Sequence, residues 1–156
     1  MRTITIAALS VTLAAVLPVH GADIASGTWV MNVAKSKPTN PVERAVVTIT
    51  VDGDRETSET HIIAPDGKET RTTATFLRDG QEHPYSGGGG SGNSYDSYVA
   101  RRVASHEAVF EFKKAGKVVR TVRNSYSNDG KSRTVVGKGT DAQGKAYEML
   151  MVFDRQ

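Results

Sequence analysis

The chain has 156 residues, no cysteine, one tryptophan, and 20 Lys and Arg against 17 Asp and Glu, for a formal net charge of +3. Without cysteine it can form no disulfide, thiolate metal site, cysteine nucleophile or lipoprotein anchor. Charges of both signs are interspersed and the longest cationic runs are the pairs Arg101-Arg102 and Lys113-Lys114, so the basic stripe of a nucleic-acid surface is missing.

The first segment reads as a secretory signal. Arg2 precedes an uncharged, largely apolar run from Ile4 to Leu17, Pro18 ends it, and the small residues Gly21 and Ala22 offer a cleavage site. Cleavage after Ala22 is favoured, with Gly21 the alternative. The run is shorter than the roughly 20 apolar residues of a spanning helix, so no stable membrane anchor is expected. Residues 23–156 are then a single domain, placed in the periplasm or secreted.

From there the chain is punctuated by turns carrying glycine where positive φ is cheap. They are Asp52-Gly53-Asp54, Pro65-Asp66-Gly67-Lys68, Asp79-Gly80-Gln81, Ala115-Gly116-Lys117, Asn128-Asp129-Gly130-Lys131 and Ala142-Gln143-Gly144-Lys145. Between them lie ten candidate strands rich in Val, Ile, Thr, Tyr and Phe: 27–31, 43–51, 55–63, 68–77, 81–86, 95–103, 107–113, 118–126, 131–138 and 145–154. Alternation puts Ala45, Val47, Ile49 and Val51 on one face, and Tyr147, Met149, Met151 and Phe153 on one face of the last strand. A single helical turn fits within Met31 to Lys37, before Pro38 and Pro41.

An all-β, antiparallel up-and-down meander of about eight to ten strands hides its edges best by closing into a barrel, with a β-sandwich as the alternative. An outer-membrane barrel is excluded by strand chemistry. Residues 55–61 place Arg55, Thr57, Glu59 and His61 on one face and Glu56, Ser58 and Thr60 on the other, leaving no apolar band for lipid.

Gly27-Thr28-Trp29, Asn32 and Lys35-Ser36-Lys37 resemble the opening of a group of uncharacterised exported bacterial β-proteins. The likeness continues through Asp79-Gly80, Pro84-Tyr85, Lys114 to Val119, Asn128 to Lys131, Lys138 to Gly144 and Phe153 to Gln156. More distantly, Gly-x-Trp in the first strand is similar to the motif of the calycins, the lipocalin and fatty-acid-binding-protein group. That resemblance implies a ligand-binding barrel closed at one end by Trp29, with a basic residue of a late strand, here Arg155, packed on it. Only residues 32–42 join the first two strands, too few for the helix pair that lids fatty-acid-binding proteins, and the long C-terminal helix of lipocalins has no counterpart.

Among the candidate chemical residues, His61, His83 and His106 are scattered without ligand spacing, so no metal is expected. No serine stands in a nucleophile elbow and no carboxylate pair stands out, so no catalytic residue and no cofactor is implied. The glycine-rich run Ser86 to Ser94 is not a phosphate loop; it reads either as a flexible connection or as a flap over a barrel mouth. Arg101 shares a strand face with Tyr95, Val99 and Val103, and Arg120 with Val118, Val122 and Tyr126. Either the two arginines project into one lumen and receive a ligand anion there, or they sit at strand ends, face solvent or pair with a carboxylate such as Glu111. Phe76, Tyr85, Tyr98, Tyr126 and Tyr147 are available to line such a pocket.

The leading functional expectation is a non-catalytic periplasmic or secreted binding protein for a small amphiphilic, anionic ligand, with Arg101, Arg120, Tyr98, Tyr126, Tyr85 and Phe76 at the site. Two alternatives stay open: an envelope interaction module or inhibitor with a filled core, whose protein partner is unknown, and a small cofactor-free enzyme. An open cavity with converging polar groups would favour a ligand, and a filled core with an exposed apolar patch would favour a partner.

Overall fold

A computed structural model describes residues 23–86, 95–141 and 143–156. The signal segment and residues 87–94 of the glycine-rich run lie outside the described residues. The strands are β1 (Gly27–Met31), β2 (Arg44–Asp52), β3 (Arg55–Ile63), β4 (Glu69–Leu77), β5 (Asp79–Pro84), β6 (Ser97–Ala104), β7 (Glu107–Lys114), β8 (Lys117–Tyr126), β9 (Ser132–Thr140) and β10 (Ala146–Arg155). Between β1 and β2, Val33–Lys35 forms one 3-10 turn, whose exposed first-turn amide is met by the Asn32 side chain.

All ten strands form one antiparallel sheet in the order β4-β3-β2-β1-β10-β9-β8-β7-β6-β5. Every neighbour in the sheet is also a neighbour in sequence, except that β1 pairs with β10 and bends the meander round into a nearly closed barrel. Tight hairpins make this possible. At the β7–β8 turn Ala115 and Gly116 both take positive φ, 49° and 73°, the twist that suits a two-residue hairpin, and Asp96 accepts the Ala115 amide at 2.6 Å.

The hairpin expected at Asp79-Gly80 does not form. β4 and β5 are the two free edges of the sheet, and β5 pairs only with β6. The chain turns this corner at Arg78, whose amide donates to the Asp54 carbonyl at 2.8 Å while its guanidinium is drawn inward to Glu56 and Asp23. Tyr98 of β6 bridges the resulting seam, accepting the Leu77 amide on its hydroxyl at 2.9 Å.

Two apolar clusters fill the ends of the barrel. One gathers around Trp29, which is 0% exposed, with Met31, Val47, Ile49, Met149 and Phe153. The Trp29 indole donates to the Ala25 carbonyl at 2.9 Å, and the Arg155 guanidinium lies 4.3 Å from the indole ring centroid. Arg155 donates to the carbonyls of Ile24, Ser26 and Gly130 at 2.5, 2.6 and 2.5 Å, tying the chain entrance and the β8–β9 turn to the last strand. A Cβ at residue 27 would sit 2.6 Å from Arg155 Nη1 and φ there is +139°, so glycine two residues before the tryptophan lets the arginine approach. The other cluster is aromatic. Phe76 meets Tyr98, Phe110 and Phe112 edge-on at centroid distances of 5.1, 5.1 and 6.0 Å.

Candidate functional site

The barrel is not filled between these clusters. A cavity of about 280 Å³ runs through it, with apolar walls from Val47, Phe76, Phe112, Val122, Val135 and Met149. β3 and β4 also bring polar side chains to it, Ser58, Thr60 and Thr72, beside Ile62, Ala74 and Phe76. Strand alternation explains the division: the inner row of β3 is Glu56, Ser58, Thr60 and Ile62, whereas the inner rows of β2 and β10 carry mostly alkyl side chains.

A group of charged side chains lies against the cavity, which Glu56 lines. Glu56 is 3% exposed and its carboxylate lies 3.2 Å from Arg78 Nη1; Arg78 Nη2 lies 2.8 Å from Asp23, which Arg102 also contacts. Burial is the largest influence on Glu56 and raises its pKa above the usual carboxylate range, with Arg78 working against it. For Asp23 burial also works upward, but the Ala25 amide, Arg78 and Arg102 outweigh it and the net shift is downward. These two acids and two arginines neutralise one another.

Arg133 adds a further cation beside them: after Arg78 it is the next charge that opposes the upward shift of Glu56, without an ion-pair contact to it. Its guanidinium is carried on the inner row of β9, where the side chain as a whole is 8% exposed, and it lies 5.2 Å from the Phe153 ring centroid. Nη2 donates to Asn124 Oδ1 at 3.3 Å, and Nε and Nη1 are buried without a hydrogen-bond partner. Arg120, also a cavity residue, stacks 5.6 Å from the Phe112 centroid with Nη1 3.5 Å from the Tyr95 hydroxyl, and its Nε is likewise buried without a partner. Among the described residues neither arginine makes an ion pair. Arg120 and Met149 also border a second, outer pocket of about 450 Å³ with Lys145 and Tyr147, so Arg120 marks the end where the interior meets the surface.

Of the residues expected at the site, Phe76, Tyr85 and Arg120 line the cavity together. Tyr98 is buried at the seam, and Tyr126 packs 5.5 Å from the Trp29 ring with its hydroxyl buried and unpartnered; burial pushes the Tyr126 pKa up to about 12. Arg101 requires correction. It lies on the outer face, bonded to Glu111 at 2.9 and 3.3 Å, and does not share a lumen with Arg120. Strand β6 begins at Ser97, so Tyr95 is not part of its alternation, and its buried row is Tyr98 and Ala100. Val99, in the row of Arg101, therefore also faces away from the cavity. Val118 is 50% exposed, because a bulge opposite Phe112 and Lys113 turns Val119 inward in its place. His61, His83 and His106 are bonded to Glu69, Asp79 and Ser105, and no group of three metal-ligating side chains occurs among the described residues.

Glu56, Arg78, Asn124 and Arg133 were not anticipated as site residues. The signal for Arg133 was available, since it shares its strand face with Val135 and Gly137, as Arg120 shares one with Val122.

No protein-family model matches the chain, and no curated protein matches it in sequence. Among solved structures, zebrafish ileal bile acid-binding protein in complex with cholic acid superposes with a TM-score of 0.57 at 12% identity, covering 85% of this chain and 99% of that one. The two share an overall fold. The siderocalin Ex-FABP matches with a TM-score of 0.49 at 12% identity, over 85% of this chain and 71% of its own. Lobster apocrustacyanin A1 gives 0.40 at 12% identity, over 85% and 61%. An identity of 12% speaks for a shared fold alone, so function rests on the residues that line the cavity.

Proposed function

We propose that this chain is exported from a bacterial cytoplasm and acts in the periplasm or outside the cell as a non-catalytic binding protein. Its ligand is a small amphiphile whose apolar body fills the barrel cavity and whose anionic group rests on Arg133. The observation that carries this reading is the buried Arg133 guanidinium, which borders the cavity with two nitrogens lacking a hydrogen-bond partner and, among the described residues, makes no ion-pair contact. A buried charge without a counter-ion costs several kcal/mol, and a ligand carboxylate removes that cost while making strong charge-assisted hydrogen bonds. An unfilled interior favours a ligand over a solidly packed interaction module. Its volume lies at the small end of ligand pockets, which favours a compact molecule. Export rests on the signal pattern of residues 1–22.

Calorimetric titration of lipid-stripped protein with decanoate and decanol tests the reading. Decanoate is expected to bind roughly 10- to 100-fold more tightly, the worth of a charged hydrogen bond, and Arg133→Met should abolish that preference. Equal affinity for acid and alcohol, or no binding of either, would overturn it.

A further inference from the structure

The cavity has two cationic ends. Arg120 is paired across the sheet with Gly139 of β9, and Arg133 lies six residues earlier on that same strand. At the rise of an extended strand, their backbones are roughly 20 Å apart along the barrel. Both line the same cavity, and the stretch between them is walled by Val122, Val135 and Met149, with Gly137 leaving its share of the space to the Met149 side chain. Each guanidinium keeps at least one buried nitrogen without a hydrogen-bond partner. Glu56 is contacted by Arg78, and Asp23 by Arg78 and Arg102; Arg133 acts on Glu56 from a distance but makes no contact with it.

A one-headed anion would neutralise only one of these ends. The second guanidinium would then lie beside the alkyl tail with its buried Nε still lacking an acceptor. From this we infer that the ligand is two-headed: a dianion with a carboxylate-like group at each end and an apolar middle. One head meets Arg133, and the other meets Arg120 where the cavity adjoins the outer pocket, whose lining carries Lys145 and Tyr147 together with the carboxylates of Asp141 and Glu148. The inference rests on the cavity reading above and narrows its ligand class.

The test is calorimetry with lipid-stripped protein and a series of straight-chain α,ω-dicarboxylates, adipate, suberate, sebacate and dodecanedioate, each against the monocarboxylate of equal carbon number. At the chain length that binds best, the diacid is expected to bind at least tenfold more tightly than its monoacid. Arg120→Met should bring the two to equal affinity, while Arg120→Lys, which keeps the charge, should retain a preference for the diacid. Native-like Trp29 fluorescence and a cooperative melt confirm that each variant is folded. Monoacids binding as tightly as diacids at every length would overturn the two-headed ligand and leave the binding-protein reading standing. Binding of neither series would overturn both. A diacid preference that survives Arg120→Met would remove Arg120 as the second anion site.

Discussion

Arg155 closes one end of the barrel, and its replacement offers a sharp test of how the fold is held. In Arg155→Met the alkyl stem remains, but the cation over Trp29 and donors to the Ile24, Ser26 and Gly130 carbonyls are lost. Arg155 is partly exposed, so water can reach the released carbonyls and each bond is worth nearer 1 kcal/mol than the upper value for a charged donor. With about 1 kcal/mol more for the cation–π contact, the expected loss is about 4 kcal/mol. Urea unfolding followed by fluorescence of the lone Trp29 reads this directly, because the probe sits against the mutated side chain. For a urea slope near 2 kcal/mol per molar, the midpoint should fall by about 2 M. Arg155→Lys should recover less than half of the loss, since an ammonium lacks the planar fork that spans three carbonyls while lying flat on the ring. A midpoint change below about 0.5 M in Arg155→Met would refute the closure argument.

Tyr126→Phe should match or exceed the wild type in thermal stability at neutral pH, by up to about 1 kcal/mol, because the hydroxyl it removes is buried without a partner. With the folded-state pKa raised to about 12 from 10.0, the wild type should lose about 3 kcal/mol relative to Tyr126→Phe as pH rises through that interval. Parallel melts at each pH that show no divergence would contradict it. Tyr98→Phe strips the acceptor from the Leu77 amide at the seam and should cost about 1 to 2 kcal/mol, with faster hydrogen exchange at Leu77 as the local sign. Arg101→Met should change stability by no more than about 1 kcal/mol and leave decanoate affinity within twofold, since its pair with Glu111 is solvent-exposed.

The architecture was legible because two local signals agree along the chain: glycine turns where φ must be positive, and alternating rows such as Ala45, Val47 and Ile49. The β4–β5 corner was misread for a physical reason. Asp79-Gly80 has the composition of a hairpin turn, but Arg78 beside it is anchored inward by Glu56 and Asp23, residues distant in sequence. Arg101 failed on the choice of face: the row of Val99, Arg101 and Val103 is the more apolar in sequence, yet Tyr98 and Ala100 of the other row are the buried ones. The polar inner row of β3 was visible and served only to exclude a lipid-facing barrel. Its other meaning, that a polar row facing inward marks an unfilled interior, needs the tertiary placement of Arg133 and Asn124 to be read.

We propose that the anion binds inside the barrel at Arg133 and not on its surface. Nitrogen-15 NMR of the arginine Nε–H groups during a decanoate titration tests it most directly. The Arg133 resonance should shift and saturate with the calorimetric affinity while Arg101, bonded to Glu111 on the outer face, stays still. A saturating titration in which Arg133 does not move, or in which Arg101 alone responds, would contradict the account.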